Sequence, residues 1–353
     1  MGKSKVFIFA PADATGESHK MLESSGCELI LGKANWDTPQ GDNESQMAKM
    51  AEGCDALVGT SIRSSPVTQK IMQSSKNLRI VAKYTIGVDD VDVDAATELG
   101  ILVTHAPTES NWGGVAEGTI TAMLTLLKKA RERDHRLKTT GGWRDMQLQG
   151  IYVGSRADGY PGITIGIIGL GRIGSRVAKL MRPWGMKMIG CDPYVPDSKF
   201  AEYGVERVDL PTLLRHSDVV TLHVVLTKET RRIIGAQQLA AMKPTAILIN
   251  TSRGPCVDEG ALVDALEKAK IAGAALDVFE EEPLSAQSPL RKLGDKVLLS
   301  PHMVSSNIGS GLKPGVAWAT KSVLAALRGE VPDNVYNKEV IPQWQSRFGG
   351  KGM

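Results

Sequence analysis

The sequence predicts an α/β protein of two doubly wound domains with mainly parallel sheets. Three observations predict it. Short apolar runs alternate with helix-length polar stretches over the first hundred residues, and a second alternation of the same kind begins near Ile163. Glycine is abundant, with 37 residues among 353, while aromatic residues make up only 5%. Alternating strand and helix patterns argue for parallel sheets covered by helices. Glycine without low-complexity runs argues for many tight turns between them.

In the first alternation, residues 5–10, 55–60, 78–82 and 101–104 read as strands, each closed by Gly, Pro or Ser. Residues 44–54 and 66–75 have helical length and composition. Residues 114–137 read as one long helix, apolar in its first half and charged in its second, and 141–162 as a surface excursion. The second alternation places six strands at 163–169, 188–192, 219–224, 246–250, 273–278 and 297–300, the pattern of a doubly wound sheet. One more amphipathic helix, about 314–328, precedes a polar tail.

Composition narrows the function. Lys and Arg total 42 against 39 Asp and Glu, a formal charge of +3, so nothing in the charge calls for a nucleic acid or a membrane surface as partner. No apolar run reaches the roughly 18 residues of a membrane span, and the N-terminus lacks the pattern of a signal peptide. The four cysteines, Cys27, Cys54, Cys191 and Cys256, form no C-x-x-C pair. This argues against a disulfide framework and against a metal site, and makes the cytoplasm the expected compartment.

The strongest local signal is the G-x-G-x-x-G run Gly169, Gly171, Gly174, which follows an apolar strand and opens a helix whose inner face would carry Ile173, Val177, Leu180, Met181 and Trp184. In this context Gly169 permits the turn, Gly171 lets the backbone approach a pyrophosphate, and Gly174 allows close packing of helix on strand. Amides at the helix N-terminus then face the phosphates. Asp192 ends the next strand, 23 residues after Gly169, where an acid can bind a ribose diol. Two hydrogen bonds to that carboxylate would contribute on the order of 3 kcal/mol. A 2′-phosphate would meet its charge, so NAD is the expected cofactor.

Three further stretches close predicted strands: Asn-Thr-Ser-Arg-Gly with Arg253, Leu-Asp-Val-Phe-Glu-Glu-Glu-Pro with Asp277 and Glu282, and Ser-Pro-His with His302. An Arg, a carboxylate and a His at neighbouring strand ends suit a 2-oxo acid. The guanidinium fork matches a carboxylate and polarises the adjacent carbonyl. The imidazole moves the hydroxyl proton, and a carboxylate on its far nitrogen holds the tautomer.

Together these motifs resemble the D-isomer-specific 2-hydroxyacid dehydrogenases, the family of phosphoglycerate, hydroxypyruvate, D-lactate and formate dehydrogenases. The resemblance runs from about Asp55 to Asn337. It implies Arg253 as substrate binder, Glu282 as partner of His302, His302 as acid/base, and Asp277 as a contact of the nicotinamide. Arg172, Ile173, His223 and Thr251 are the further cofactor contacts it implies. In the first domain it implies a substrate loop at 83–92, whose amides near Ile86 and Gly87 would hold the carboxylate, with Arg63 reaching the substrate's far end. It also implies two Rossmann-like domains, the substrate domain discontinuous at 1–108 and 305–353 and the NAD domain at 109–304, and a homodimer. The expected activity is interconversion of a small anionic D-2-hydroxy acid and its 2-oxo acid.

The chain departs from the family pattern at Lys83, where Arg is usual, and at Thr85, Val225 and 303–307; the 107–115 stretch is one residue longer than the common pattern. Two alternatives stand beside the main reading. One is an NAD(H) sensor of the same fold, resembling a corepressor, and the other a dehydrogenase acting on formate or another non-hydroxyacid.

Overall fold

Residues Ser4–Ala10 form strand β1, in which Val6 and Ile8 face one side and Phe7 and Phe9 the other, all buried. A strand buried on both faces belongs inside a sheet with helices above and below. The computed structural model describes residues 3–33, 41–60, 66–308 and 311–351. The chain divides into two units, Met1–Asn111 with Ile308–Met353, and Trp112–Asn307.

In the first unit β1 is joined by β2 (Cys27–Leu31), β3 (Ala56–Gly59), β4 (Ile80–Lys83) and β5 (Leu102–Thr104). The sheet order is β2-β1-β3-β4-β5 and every strand pairing is parallel. One face packs Val6, Ile8, Ile80 and Leu102 against Val316, Val323 and Leu327 of the helix Lys313–Leu327, and against Trp344. The opposite face packs Phe7, Leu57 and Val81 against Met47 and Ile71.

The second unit carries β6 (Thr164–Ile168), β7 (Lys187–Cys191), β8 (Glu206–Arg207), β9 (Val219–Leu222), β10 (Ile247–Asn250), β11 (Gly273–Leu276) and β12 (Val297–Leu299). They pair in parallel in the order β12-β11-β10-β9-β6-β7-β8. The chain order reverses between β6 and β9, and ligands of such sheets bind outside the carboxyl ends at that point. One face buries Leu213, Val220, Leu248 and Leu266. The other buries Ile165, Ile167, Val177 and Ile249 with Met123 and Leu127.

Some expectations change. The helix read over 114–137 is two helices, Glu109–Lys128 and Ala130–Thr140, broken at Lys129 with φ of 50°. The break is fixed by residues 150–151, because Ile151 N–H donates to Leu127 O (2.8 Å) and the Lys128 ammonium donates to Ile151 O (2.7 Å). The tail read as polar forms a helix, Ile341–Phe348, that buries Trp344 completely, with its Nε1 donating to Arg79 O at 2.9 Å. Trp184, placed by sequence on an inner helix face, lies at 40% exposure in a short 3-10 turn past that helix's end. Strands β2 and β8 had no counterpart in the sequence reading. Both are sheet edges, and only Cys27 among their residues is buried.

Candidate active site

The glycine run lies where β6 turns into the helix Arg172–Met181. Gly169 has φ of 90°, in the left-handed region that favours glycine, and a Cβ there would lie 2.6 Å from the His223 carbonyl oxygen. A Cβ at Gly174 would lie 2.0 Å from Gly169 O, so only glycine lets the helix settle on the turn. Gly171 is the N-cap and no side chain caps the helix; a Cβ there would meet nothing within 4 Å. Asp192, just beyond β7, accepts Leu170 N–H (2.8 Å) and Tyr194 N–H (2.9 Å). Its carboxylate thus ties the glycine turn to the end of the next strand.

His223 follows β9. Its Nε2 lies 3.0 Å from Thr221 Oγ1, its Nδ1 is buried without a hydrogen-bond partner, and burial pushes its pKa down to about 3. An orphaned polar nitrogen beside a glycine turn, with an open, uncapped helix N-terminus, fits a dinucleotide. Arg172 and Ile173 form the first turn of that helix. Thr251 is engaged from the other side, 2.9 Å from Thr119 Oγ1.

The remaining candidates close three adjacent strands, β10, β11 and β12. Asn250 at the end of β10 is fully buried and builds the Arg253 loop. Its Oδ1 accepts Ser252 N–H (3.0 Å) and Ser252 Oγ–H (2.8 Å), and its Nδ2 donates to Arg253 O (2.9 Å). Arg253 Nη1 donates to Ser252 O at 2.7 Å. Gly254 presses this loop onto the next one, since a Cβ there would lie 1.8 Å from Phe279 O.

That next loop carries Glu282. Oε1 accepts Phe279 N–H at 2.9 Å and Oε2 lies 2.8 Å from His302 Nδ1. The Glu282 side chain is 13% exposed and that of His302 42%, so the pair is anchored on the protein side and open at the imidazole. An ionised carboxylate only accepts, which places a proton on Nδ1 and turns Nε2 toward chemistry. His302 is held at φ of 56° by its N–H donating to Asp277 O at 2.8 Å. Such a backbone costs about 1–3 kcal/mol and persists where surrounding contacts enforce it.

The Asp277 carboxylate accepts the amides of Met303 (2.9 Å) and Val304 (3.1 Å), and burial raises its pKa despite those donors, Ser300 and His302. It therefore shapes the 303–307 loop. That loop also lies on the helix Glu109–Lys128, where Gly114 and Gly118 leave room for Ser305, Asn307 and Val304. Sequence reasoning missed Asn250, Thr119 and these glycines. The only signals were an Asx-type turn at Asn250 and two glycines four apart in a helix.

In the first unit, Ile86 and Gly87 lie in the loop after β4. Ile86 O accepts from His105 Nδ1 at 3.2 Å and Thr85 O accepts Ala106 N–H at 2.9 Å. Lys83, fully buried, pairs with Asp90 at 2.5 Å and donates to Thr60 O at 2.9 Å, closing the loop from beneath. Burial lowers the Lys83 pKa against the opposing pull of Asp90. Arg63 lies outside the described residues. Among the described residues no cluster of His, Cys, Asp or Glu is suited to a metal, and no helix is long and apolar enough to cross a membrane.

Known proteins resemble the chain over most of its length. Residues 120–304 match the family model described as "D-isomer specific 2-hydroxyacid dehydrogenase, NAD binding domain". The chain is 40% identical over 324 residues to D-3-phosphoglycerate dehydrogenase of Methanocaldococcus jannaschii, a match that covers 91% of this chain and 59% of that protein. It is 39% identical over 313 residues to glyoxylate reductase of Korarchaeum cryptofilum, covering 87% of this chain and 90% of the relative. The crystal structure of a glyoxylate reductase from Paecilomyes thermophila superposes with a TM-score of 0.82 at 27% identity, covering 96% of this chain and all of that one. NAD is the cofactor of the family's nucleotide domain, which residues 120–304 of this chain match. The chain belongs to the D-isomer-specific 2-hydroxyacid dehydrogenase family.

Proposed function

We propose that the protein reduces a short 2-oxo acid to the D-2-hydroxy acid, and runs the reverse oxidation. The observation that carries this reading is the His302–Glu282 pair at 2.8 Å, with Glu282 itself anchored by the Phe279 amide. Bound NADH supplies the hydride to C2. His302 Nε2 gives a proton to the carbonyl oxygen in reduction and takes it from the hydroxyl in oxidation, while Glu282 keeps Nδ1 protonated. Arg253 binds the substrate carboxylate and carbonyl through its fork. The Ile86 and Gly87 amides hold the carboxylate, with Arg63 toward the substrate's far end.

In this reading residues 1–108 and 305–353 form the substrate domain and 109–304 the NAD domain. Gly169, Gly171, Gly174, Arg172 and Ile173 hold the pyrophosphate side, Asp192 the ribose, and His223, Thr251 and Asp277 the remaining cofactor contacts. The relatives named glyoxylate reductase support a small oxo acid as substrate. A homodimer is part of the same reading, and exposed Leu137, Trp143 and Met146 give it an apolar surface.

A panel of glyoxylate, hydroxypyruvate and pyruvate with NADH, and of formate with NAD, tests the assignment by NADH absorbance. Turnover of at least one oxo acid is expected. No turnover of any oxo acid, with NADH still bound, would favour a sensor, and turnover of formate alone a different substrate class.

A further inference from the structure

We propose that His105 is a positioning residue for the substrate carboxylate, acting through the peptide between Ile86 and Gly87. The proposal rests on the reading that the amides of this loop bind the carboxylate. It adds a residue to that site and a reason why the amides point where they do.

In a planar trans peptide the C=O and N–H point in opposite directions. Fixing a carbonyl therefore aims the amide of the following residue. Two successive carbonyls of the loop are fixed by the chain that leaves β5. Thr85 O accepts Ala106 N–H at 2.9 Å, which aims Ile86 N–H the other way. Ile86 O lies 3.2 Å from His105 Nδ1, which aims Gly87 N–H the other way as well. A carbonyl oxygen only accepts, so the His105 proton is on Nδ1. Both amides are thus turned to the side of the loop opposite β5, as in the paired-amide concavities that bind anions.

His105 is itself held. Its N–H donates to Asn334 O at 3.3 Å, and its ring meets Tyr336 edge-on at 5.8 Å between centroids. Tyr336 is placed by an antiparallel bridge between Thr104 and Val335 and by Tyr336 N–H donating to Val103 O at 2.7 Å. Asn337 locks the segment further, its Oδ1 accepting Val103 N–H at 2.8 Å and its Nδ2 donating to Ile101 O at 3.0 Å. Residues 334–337 therefore fix the imidazole that fixes the loop. The Ile86 side of the loop needs only a main-chain donor, whereas the Gly87 side depends on a side chain. His105 is the point at which substitution alters one amide and leaves the fold in place.

The test uses the full-length enzyme, NADH and the oxo acid that it turns over best, with oxalate as a non-reacting probe of carboxylate binding. His105→Phe keeps a ring against Tyr336 and removes the donor. His105→Asn puts a nitrogen donor at the same distance along the side chain. The expected result is a rise of about ten-fold in KM and in the oxalate inhibition constant for His105→Phe, the loss of one hydrogen bond to a charged group. kcat, the NADH dissociation constant and the melting temperature should stay near wild type, and His105→Asn should restore most of the KM. An unchanged KM in His105→Phe, or an Asn variant as impaired as the Phe variant, overturns the proposal while wild-type turnover leaves the assigned reaction standing. Absence of turnover in the wild type overturns both. If His105→Phe does not fold, His105→Ala removes the same donor and is read by the same constants.

Discussion

Replacing Glu282 with glutamine changes one heavy atom and removes the acceptor that fixes the His302 tautomer. Glu282 uses both oxygens as acceptors, Oε1 for Phe279 N–H at 2.9 Å and Oε2 for His302 Nδ1 at 2.8 Å. Glutamine keeps one oxygen. If that oxygen stays on Phe279 N–H, the amide NH2 faces Nδ1, which must then accept, and the imidazole proton moves to Nε2. A neutral His302 in that tautomer cannot take the proton from a hydroxyl group. The opposite rotamer sets NH2 against the Phe279 N–H and leaves a donor unsatisfied, at a cost of about 1–3 kcal/mol.

Both directions should therefore lose most of the acid/base contribution, about 10²–10⁴-fold in kcat/KM. Reduction starts from the doubly protonated imidazole, whose Nδ1–H would then face the Gln NH2 donor, and the fixed equilibrium of the reaction keeps the two losses equal. The assay is steady-state NADH formation and consumption with the preferred hydroxy and oxo acid pair, alongside NADH binding by fluorescence, which should not change. Rates within about three-fold of wild type in both directions would refute the assigned tautomer.

Two further outcomes follow from the nucleotide side of the second unit. Asp192→Ala should raise KM for NADH by about 10- to 100-fold, the value of one or two hydrogen bonds to a charged acceptor, with less effect on NADPH; an unchanged preference would place the ribose elsewhere. His223, whose pKa burial lowers from 6.5 to about 3, stays neutral in the folded protein while the unfolded chain takes up its proton below about pH 6.5. Stability should then fall by about 1.4 kcal/mol per pH unit between those values. In urea unfolding of the NAD-free protein, His223→Gln should lose about 2 kcal/mol less than wild type between pH 6.5 and about pH 5. Parallel losses would show that His223 is solvated.

Much of the second unit was legible because its strands are buried on both faces and end in chemically distinctive residues. Gly169, Asp192, Arg253, Glu282 and His302 each follow a continuous apolar run, so the sheet alone carries them to one edge. Strand β8 escaped because it is only the exposed pair Glu206–Arg207, and β2 because its short Leu29–Leu31 run is cut short by Glu28 and only partly buried at the sheet edge. The break at Lys129 depends on residues more than twenty positions onward, and no local pattern encodes it. Trp344 was hidden in a tail whose helix spans only eight residues, too short for periodicity to show. His105 stands in an unremarkable Thr-His-Ala-Pro stretch and gains meaning only when folding brings it to Ile86.

The most direct test of the account is His302→Gln, assayed with the preferred oxo acid and titrated with NADH in the same preparation. The expected result is a fall in kcat of about 10²–10⁴-fold, the range for loss of a positioned acid/base, with the NADH dissociation constant within two-fold of wild type. A near-normal kcat would contradict it, and so would an equal loss of NADH binding, which would make His302 a cofactor contact in place of the proton carrier.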